Sequence, residues 1–311
     1  MRGSRRAAAV ILAAGPSWNP IIDLQQMWSF PFMVNAFRAG TIVAVLAGVM
    51  GWFMVLRRQS FAGHTLSLIG FPGAAGAVLI GVSASYGYFA FCLAGALVIA
   101  ALPRAGPGGY SEESAVTGTV QAFALACGFL FVALYKGFLN GINSLLFGNF
   151  LGISAGQVSL LGIVAALSLA ALAVIGRPLA FASIDPDVAT ARNVPVRALS
   201  VAFLVLLGAA TAEASQITGT LLVFALLVMP AATAQALTAR PGRALALTVT
   251  IGLAVTWLGL SVAYYTPFPV GFFVTSFAFA GFVAAQAVRH TRPRWRAAST
   301  ETSPMPIGIA R

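Results

Sequence analysis

The chain has 311 residues, of which 59% are hydrophobic and 8% are charged, and its formal net charge at neutral pH is +11. This composition lies outside the range of soluble globular domains and indicates a membrane protein with several spans. The 18 lysine and arginine residues stand in short clusters between apolar runs. Nucleic-acid binding needs a basic stripe with interleaved aromatic residues, so we expect no nucleic-acid partner.

The two ends of the chain differ from its middle. Residues 1–30 have a basic start followed by an apolar stretch that is too short to span a membrane. This extension is compatible with a signal-like segment or with a mis-assigned start upstream of Met27 or Met33. We expect a transmembrane domain over residues 31–290 and a disordered cytoplasmic tail over residues 291–311, which are polar and contain prolines.

The middle of the chain predicts an all-α polytopic bundle of about eight to ten spans, because a span needs about 20 apolar residues. The apolar runs cover residues 34–56, 61–83, 87–103, 116–135, 157–176, 199–214, 217–238, 244–264 and 268–288. These nine runs predict nine spans. Arginines follow every second run, so the positive-inside rule places the N-terminus outside and the C-terminus in the cytoplasm. Arg38 and Lys136 are exceptions to this pattern. The half-polar stretch 136–156 is compatible with a re-entrant or broken helix.

One histidine and one acidic residue fall within or at the end of apolar runs, where charge is costly and usually functional. His64 lies in the second run and Glu213 lies at the end of the sixth. His64 is compatible with an interfacial polar residue or with a metal ligand. Glu213 is compatible with a carboxylate at the wet outer end of a helix or with a ligand at the mouth of a pathway. The small residues Gly73, Ala77 and Gly81 recur every four positions, which favours close helix packing.

Motifs of several enzyme classes are missing from the sequence. The only lysine, Lys136, follows Tyr135, so the chain contains no Walker A motif and is not itself an ATPase of that kind. The sequence also has no H-E-x-x-H motif, and its two histidines cannot supply a multi-histidine metal centre in one chain. We therefore expect neither an enzyme nor a bound cofactor.

The hydrophilic stretch 176–200 contains a candidate docking helix. Asp185 is suited to the N-cap position and Pro186 to the first helical position. Val188, Ala191 and Val194 then follow at helical spacing. The pattern is compatible with a helix that docks into a partner protein or with a connecting helix at the membrane surface.

Four blocks of the sequence together resemble the ABC-type metal-ion permeases. "DPDVATARNVPV", followed by an apolar helix and "TGTLLVFALLVMPAATAQAL", is similar to their paired signature. The first two apolar runs, "SEESAVTG" and "LLFGNFLGIS" resemble further blocks of this family, in the same order. The resemblance extends over about residues 28–290.

The resemblance implies a permease subunit in the plasma membrane that imports divalent metal ions, zinc or manganese above all, as substrate. It also implies a second permease copy, identical or closely related, a cytoplasmic ATP-binding subunit and an extracellular solute-binding protein. The loop 185–196 would be the coupling helix. Its coupling residues would be Asp185, Pro186, Asp187, Val188, Ala191, Arg192 and Val194. Packing or pathway residues would be Gly63, Ser67, Pro72, Gly73 and Pro230, with Pro72 bending the second helix.

One position departs from the family pattern. The second helix of the family begins Gly-Asp-x-x-Ser-His, and its aspartate and histidine are regarded as metal ligands. Here His64 and Leu68 stand at those two positions. Residues four apart share a helix face, but a leucine cannot bind a cation. We expect that His64 of two protomers meets at a common pathway. An ATP-independent secondary transporter, or a permease of the same family with an altered substrate, remains as an alternative.

Overall fold

The computed structural model describes residues 25–101, 110–135, 148 and 152–291. Within these ranges the chain forms helices and no strand, as the composition predicts. The helices are α1 (Pro31–Leu56), α2 (Ser60–Leu79), α3 (Ala84–Ala101), α4 (Tyr110–Leu134), α5 (Ala155–Ile184), α6 (Pro186–Ala191), α7 (Val196–Thr218), α8 (Thr220–Leu237), α9 (Pro241–Tyr264) and α10 (Val270–Thr291). The predicted extension over residues 1–24, the tail beyond residue 291 and most of the stretch 136–156 lie outside the described residues.

Eight of the described helices are long and apolar enough to cross a membrane. They are α1 to α5, α7, α9 and α10, whereas α8 contains a shorter apolar helix, Leu222–Leu237. Each of the nine predicted apolar runs therefore corresponds to one apolar helix in the described part of the chain. The orientation of the termini stays a prediction from the arginine pattern.

Helix α2 ends four residues before the end of the second apolar run. Gly81 has a φ of +78°, and the amide of Val82 donates to the carbonyl oxygen of Ala77 at 2.8 Å. A left-handed glycine with this long-range bond is the usual end of an α-helix. A Cβ atom at Gly81 would meet nothing within 4 Å. Gly81 thus terminates α2 and does not pack against a neighbouring helix, in contrast to the expectation from its spacing.

Helix α5 is longer than the sequence predicts, because it begins at Ala155 and continues through Pro178 to Ile184. Ser154 and Gln157 form a capping box at its start. Beyond Pro178 the side chains of Leu179 and Ala182 are buried, so tertiary packing holds the last turns in place despite the proline. Its 30 residues span about 45 Å. Residues 176–184 are therefore helical, and the hydrophilic connection begins at Asp185.

Helix α7 also extends beyond its predicted end. The sequence pattern ends the sixth apolar run at residue 214, but α7 continues to Thr218 and only Gly219, with a φ of +77°, separates it from α8. Two hydroxyl groups of this segment bond back to their own helix, because Thr211 donates to the carbonyl oxygen of Leu207 at 2.6 Å and Thr218 donates to that of Ala214 at 2.9 Å. These bonds satisfy polar groups away from water, so a stretch that looks like a loop is part of a buried helix.

The bundle packs through close backbone contacts at glycines. Helix α1 packs against α5, α8 and α9, α2 packs against α3 and α4, and α7 packs against α3 and α5. A Cβ atom at Gly51 would lie 1.9 Å from the carbonyl oxygen of Leu227 on α8. A Cβ atom at Gly73 would lie 2.3 Å from the carbonyl oxygen of Gly87 on α3. Small residues at such contacts supply the van der Waals packing that holds membrane helices together.

Candidate functional site

His64 lies in the second turn of α2 beside two aromatic rings. The centre of its imidazole lies 4.6 Å from that of the Phe224 ring on α8 and 6.4 Å from that of Phe61. The Nδ1 atom of His64 is buried and has no hydrogen-bond partner among the described residues. Leu68, one turn further along, is half-buried and offers no ligand atom. His64 is thus a single nitrogen ligand set against aromatic rings.

The backbone around His64 is held tightly against α1 and α4. A Cβ atom at Gly63 would lie 2.2 Å from the Sδ atom of Met54, so a larger residue there would displace the Met54 side chain of α1. The hydroxyl of Thr65 donates to Oε1 of Gln121 on α4 at 2.9 Å. The hydroxyl of Ser67 donates to the carbonyl oxygen of His64 at 2.7 Å and is therefore turned toward its own helix.

Glu213 is buried in α7, with only 2% of its surface exposed. Nε2 of Gln216 donates to Oε2 of Glu213 at 3.2 Å, and the hydroxyl of Ser85 on α3 donates to Oε1 of Gln216 at 2.5 Å. The chain of hydrogen bonds links the end of α7 to the start of α3. The structure therefore places the carboxylate in a packed polar network, and not at the wet outer end of a helix.

The polar neighbours of Glu213 escaped the sequence analysis. Ser215, Thr218 and Thr220 are fully buried beside the break at Gly219. The hydroxyl oxygens of Ser215 and Thr220 have no hydrogen-bond partner within the described part of the chain. The signal that could have found them is a run of hydroxyl and amide side chains between two apolar helices, since buried polar groups of that density are rare without a role.

His64 lies near the start of α2, whereas Glu213 lies near the end of α7. Nη2 of Arg57, just before α2, donates to the hydroxyl of Ser200 near the start of α7. We call this the Arg57 end. Glu213 lies near the Ser85 contact at the start of α3, which we call the Glu213 end. Across the described residues no group of three or more His, Cys, Asp or Glu side chains could hold a metal ion. One chain as described does not assemble a metal centre from these two residues.

Helix α6 has the capped geometry that the sequence predicts. The Asp185 side chain accepts a hydrogen bond from the amide of Val188 at 3.0 Å, Pro186 occupies the first helical position, and Asp187 lies in the first turn. Val188 is 45% exposed. An apolar side chain displayed on a short polar helix outside the spans is suited to contact with another protein.

The residue that anchors α6 to the bundle is one that the sequence analysis did not name. Ala189 is fully buried and anchors the helix to the bundle, whereas the predicted apolar positions Val188 and Ala191 are exposed. The helix ends at Ala191, because Asn193 adopts a left-handed conformation with a φ of +57° and the amide of Val194 donates to the carbonyl oxygen of Ala189 at 3.0 Å. Val194 thus lies beyond the helix, and exposed Arg192 is its C-cap.

The two prolines named as pathway residues lie within helices that carry His64 or contact it. Pro72 is fully inside α2, and its neighbour Gly73 forms the close contact with Gly87. Pro230 is buried within α8, where its Cγ atom would lie 3.9 Å from a Cβ atom at Gly252 of α9. Each proline leaves one carbonyl oxygen without its usual intrahelical donor.

The comparison with known protein families agrees with this helical arrangement. The profile of the ABC 3 transport family matches residues 29–289. The chain belongs to this family. It is thereby a transporter permease, and the eight helices long enough to cross a membrane make it a multi-pass protein for which a plasma-membrane location fits.

Individual relatives of the family cover most of the chain. The chelated iron transport system membrane protein YfeC of Yersinia pestis is 31% identical over 78% of this chain and 81% of its own length. The manganese transport system membrane protein MntC of Listeria innocua serovar 6a is 29% identical over 78% of this chain and 86% of its own length.

Solved structures share the fold. PsaBC from Streptococcus pneumoniae, in complex with Fab, has a TM-score of 0.75 with 26% sequence identity and covers 85% of this chain and 94% of its own. An inward-facing conformation of a putative metal-chelate type ABC transporter has a TM-score of 0.69 with 17% identity and covers 86% of this chain and 90% of its own. At that identity the second likeness concerns the fold alone.

Proposed function

We propose that this chain is the membrane-spanning permease subunit of an ATP-driven importer of divalent metal ions, with manganese or zinc as the cargo. The observation that carries the proposal is the family match over residues 29–289. A metal cargo is favoured by the relatives, because YfeC belongs to a chelated-iron transport system and MntC to a manganese transport system. The metal ion is the substrate in this proposal, and the chain itself binds no cofactor.

The proposal assigns α6 to the coupling of ATP hydrolysis with transport. Its support is a short capped helix with the exposed side chains of Val188 and Arg192 and a buried anchor at Ala189. A cytoplasmic ATP-binding subunit would dock here, a solute-binding protein would deliver the ion from outside, and a second permease copy would complete the pathway. Contacts at α6 would then convert closure of the ATPase pair into movement of the spans.

His64 and Glu213 are the residues that we propose for contact with the ion. Nδ1 of His64 has no partner among the described residues, so it is available to a ligand. Two copies of His64 related by a two-fold axis would supply two nitrogen ligands, a set that suits zinc-like ions. Glu213 would act nearer the other end of the pathway. Because Leu68 replaces a ligand of the family pattern, an altered substrate within the same family is the second candidate.

The docking role is tested by a charge at α6. In Val188→Asp we expect the ATP-binding subunit that is co-expressed with the permease to co-purify at least about tenfold less, because the new carboxylate would be buried in an apolar contact. Ala239→Asp is the matched control, since Ala239 is exposed in the short connection between α8 and α9. Equal co-purification of both variants with the ATPase would refute the docking role of α6.

The metal role is tested at the second helix. In His64→Ala we expect loss of Mn²⁺- and Zn²⁺-stimulated ATP hydrolysis in the complete complex. The double variant His64→Asp with Leu68→His restores the ligand pair of the family and should recover stimulation with a changed preference between the two ions. Unchanged stimulation in His64→Ala would remove His64 from the site, and normal uptake by Glu213→Gln would remove Glu213.

A further inference from the structure

Arg57 joins three helices at the end of the bundle from which α6 projects. Its Nη1 atom donates to the hydroxyl of Ser183 on α5 at 3.0 Å, and its Nη2 atom donates to the hydroxyl of Ser200 on α7. The guanidinium carbon lies 5.5 Å from the centre of the Phe203 ring, also on α7. One side chain at the end of α1 thereby contacts the last turn of α5 and the start of α7.

The two serines flank the proposed docking helix. Ser183 lies just before Asp185 in the chain, and Ser200 lies in the helix that follows α6. Ser183 donates its own hydroxyl hydrogen to the carbonyl oxygen of Leu179, which leaves its lone pairs free to accept from Arg57. Ser200 is 3% exposed, so its bond to Arg57 is shielded from water. The segment that contains α6 is therefore held at both of its ends by one guanidinium group.

The same arginine is rigidly connected to the helix that contains His64. Only Arg57, Arg58 and Gln59 separate α1 from α2, and Arg58 adopts a left-handed conformation with a φ of +56°. Nε of Arg57 donates to Oε1 of Gln59 at 3.0 Å, and the amide of Gln59 donates to the carbonyl oxygen of Met54 at 2.9 Å. A movement of Arg57 would therefore displace the first turns of α2 with it.

We infer that Arg57 is a positioning residue that transmits movement of the α6 segment to the turn between α1 and α2, and so to His64. The inference rests on the proposed docking of an ATPase at α6. The guanidinium is a planar fork whose donors have fixed directions, so it can hold two hydroxyl groups and one amide oxygen at the same time. A lysine keeps the charge but presents a single ammonium group without that geometry.

Loss of the Arg57 bonds should uncouple ATP hydrolysis from ion transport. When Arg57 no longer bonds to Ser183 and Ser200, the ATPase can still dock on α6 and hydrolyse ATP, but α2 no longer follows. A residue that only stabilises the fold has a different effect, because its loss lowers the amount of assembled complex and leaves the transport per ATP of the surviving complex unchanged. The ratio of transported ions to hydrolysed ATP therefore distinguishes the two roles.

The test uses the complete complex of permease, ATP-binding subunit and solute-binding protein in lipid vesicles, with labelled Mn²⁺ and, separately, Zn²⁺. For Arg57→Lys we expect a fall of about fivefold or more in ions transported per ATP, and a smaller fall for the pair Ser183→Ala and Ser200→Ala. Arg58→Lys is the matched control, since Arg58 is exposed and forms no side-chain hydrogen bond or ion pair within the described residues. This control should keep the ratio of the parent complex.

A second measurement needs no transported ion. Spin labels at Thr190 on α6 and Phe61 on α2, both exposed, should keep a constant separation between the nucleotide-free and ATP-bound states when Arg57 is present. In Arg57→Lys that separation should change. A constant separation and an unchanged transport ratio in Arg57→Lys would overturn the inference. If instead Val188→Asp retains the ATPase, the docking proposal itself fails, and the two failures are thereby distinguishable.

Discussion

The Arg57 end and the Glu213 end both connect to α7, but by different chemistry. At the Arg57 end a half-buried cation bonds to hydroxyl groups of α5 and α7, next to the exposed helix α6. At the Glu213 end a carboxylate that is 2% exposed bonds to an amide that α3 also holds. Helix α7 is therefore tied to a different set of helices at each end. A network of fully buried groups is costly to break, whereas a network whose cation is only half-buried is cheaper to rearrange.

We expect the largest loss of stability when a steric clash is introduced between α2 and α3 near the Glu213 end. Gly73→Ala would place a Cβ atom 2.3 Å from the carbonyl oxygen of Gly87, and a backbone atom cannot move aside as a side chain tip can. We expect the free energy of unfolding to fall by about 3 kcal/mol, measured as thermal unfolding of the purified protein in detergent.

Gly281→Ala is the matched control for this change. A Cβ atom at Gly281, inside α10, would meet nothing within 4 Å. Replacing a helical glycine by alanine in open space favours the helix by about 0.5 to 1 kcal/mol. The control should therefore be neutral or slightly stabilised. Equal unfolding temperatures for the two variants would show that the α2–α3 contact is not as close as the structure describes.

A second change removes the hydrogen bonds of the Glu213 end without altering backbone contacts. Gln216→Leu leaves the buried carboxylate of Glu213 and the hydroxyl of Ser85 without the amide that joins them. We expect a loss of about 1 to 3 kcal/mol in the free energy of unfolding, the usual cost of a buried group left unsatisfied.

The double variant Glu213→Leu with Gln216→Leu sharpens this result. Removing both partners avoids the unsatisfied carboxylate, so stability should return toward that of the parent protein. Thermal unfolding measures both variants. If the double variant is less stable than Gln216→Leu alone, the carboxylate stabilises the bundle through contacts other than Gln216, and the network is not the reason for its burial.

The sequence predicts the helical fold well and the polar contacts poorly, for physical reasons. Apolar runs are long and periodicity is not needed to find them, so each predicted run has its helix. The N-cap of α6 is equally readable, because Asp185 and Pro186 act within one turn of the chain. The Arg57 bonds to Ser183 and Ser200 join residues far apart in sequence, and no local pattern indicates them.

The sequence also predicts two helices to end earlier than they do. The run around Glu213 looks like a loop because hydroxyl and acidic side chains are typical of loops, yet α7 buries it as far as Thr218. Pro178 likewise looks like the end of a helix, whereas buried Leu179 beyond it keeps α5 helical. In both cases tertiary packing overrides a local preference, and only the folded chain shows which side chains have partners to compensate them.

The smallest expected effect is at the Arg57 end, where α6 depends on its cap. Asp185→Ala removes the oxygen that accepts from the amide of Val188 and should cost about 1 kcal/mol of local stability. Hydrogen exchange at the Val188 amide should accelerate about fivefold, and co-purification of the ATPase should decrease with it.

Ser154→Ala is the matched control, because it removes the capping box of α5 far from α6. It should accelerate exchange at the Gln157 amide and leave the ATPase bound. If both variants retain the ATPase equally, the ordered state of α6 does not matter for docking, and the contrast between the two ends of the bundle reduces to the difference in burial between Arg57 and Glu213.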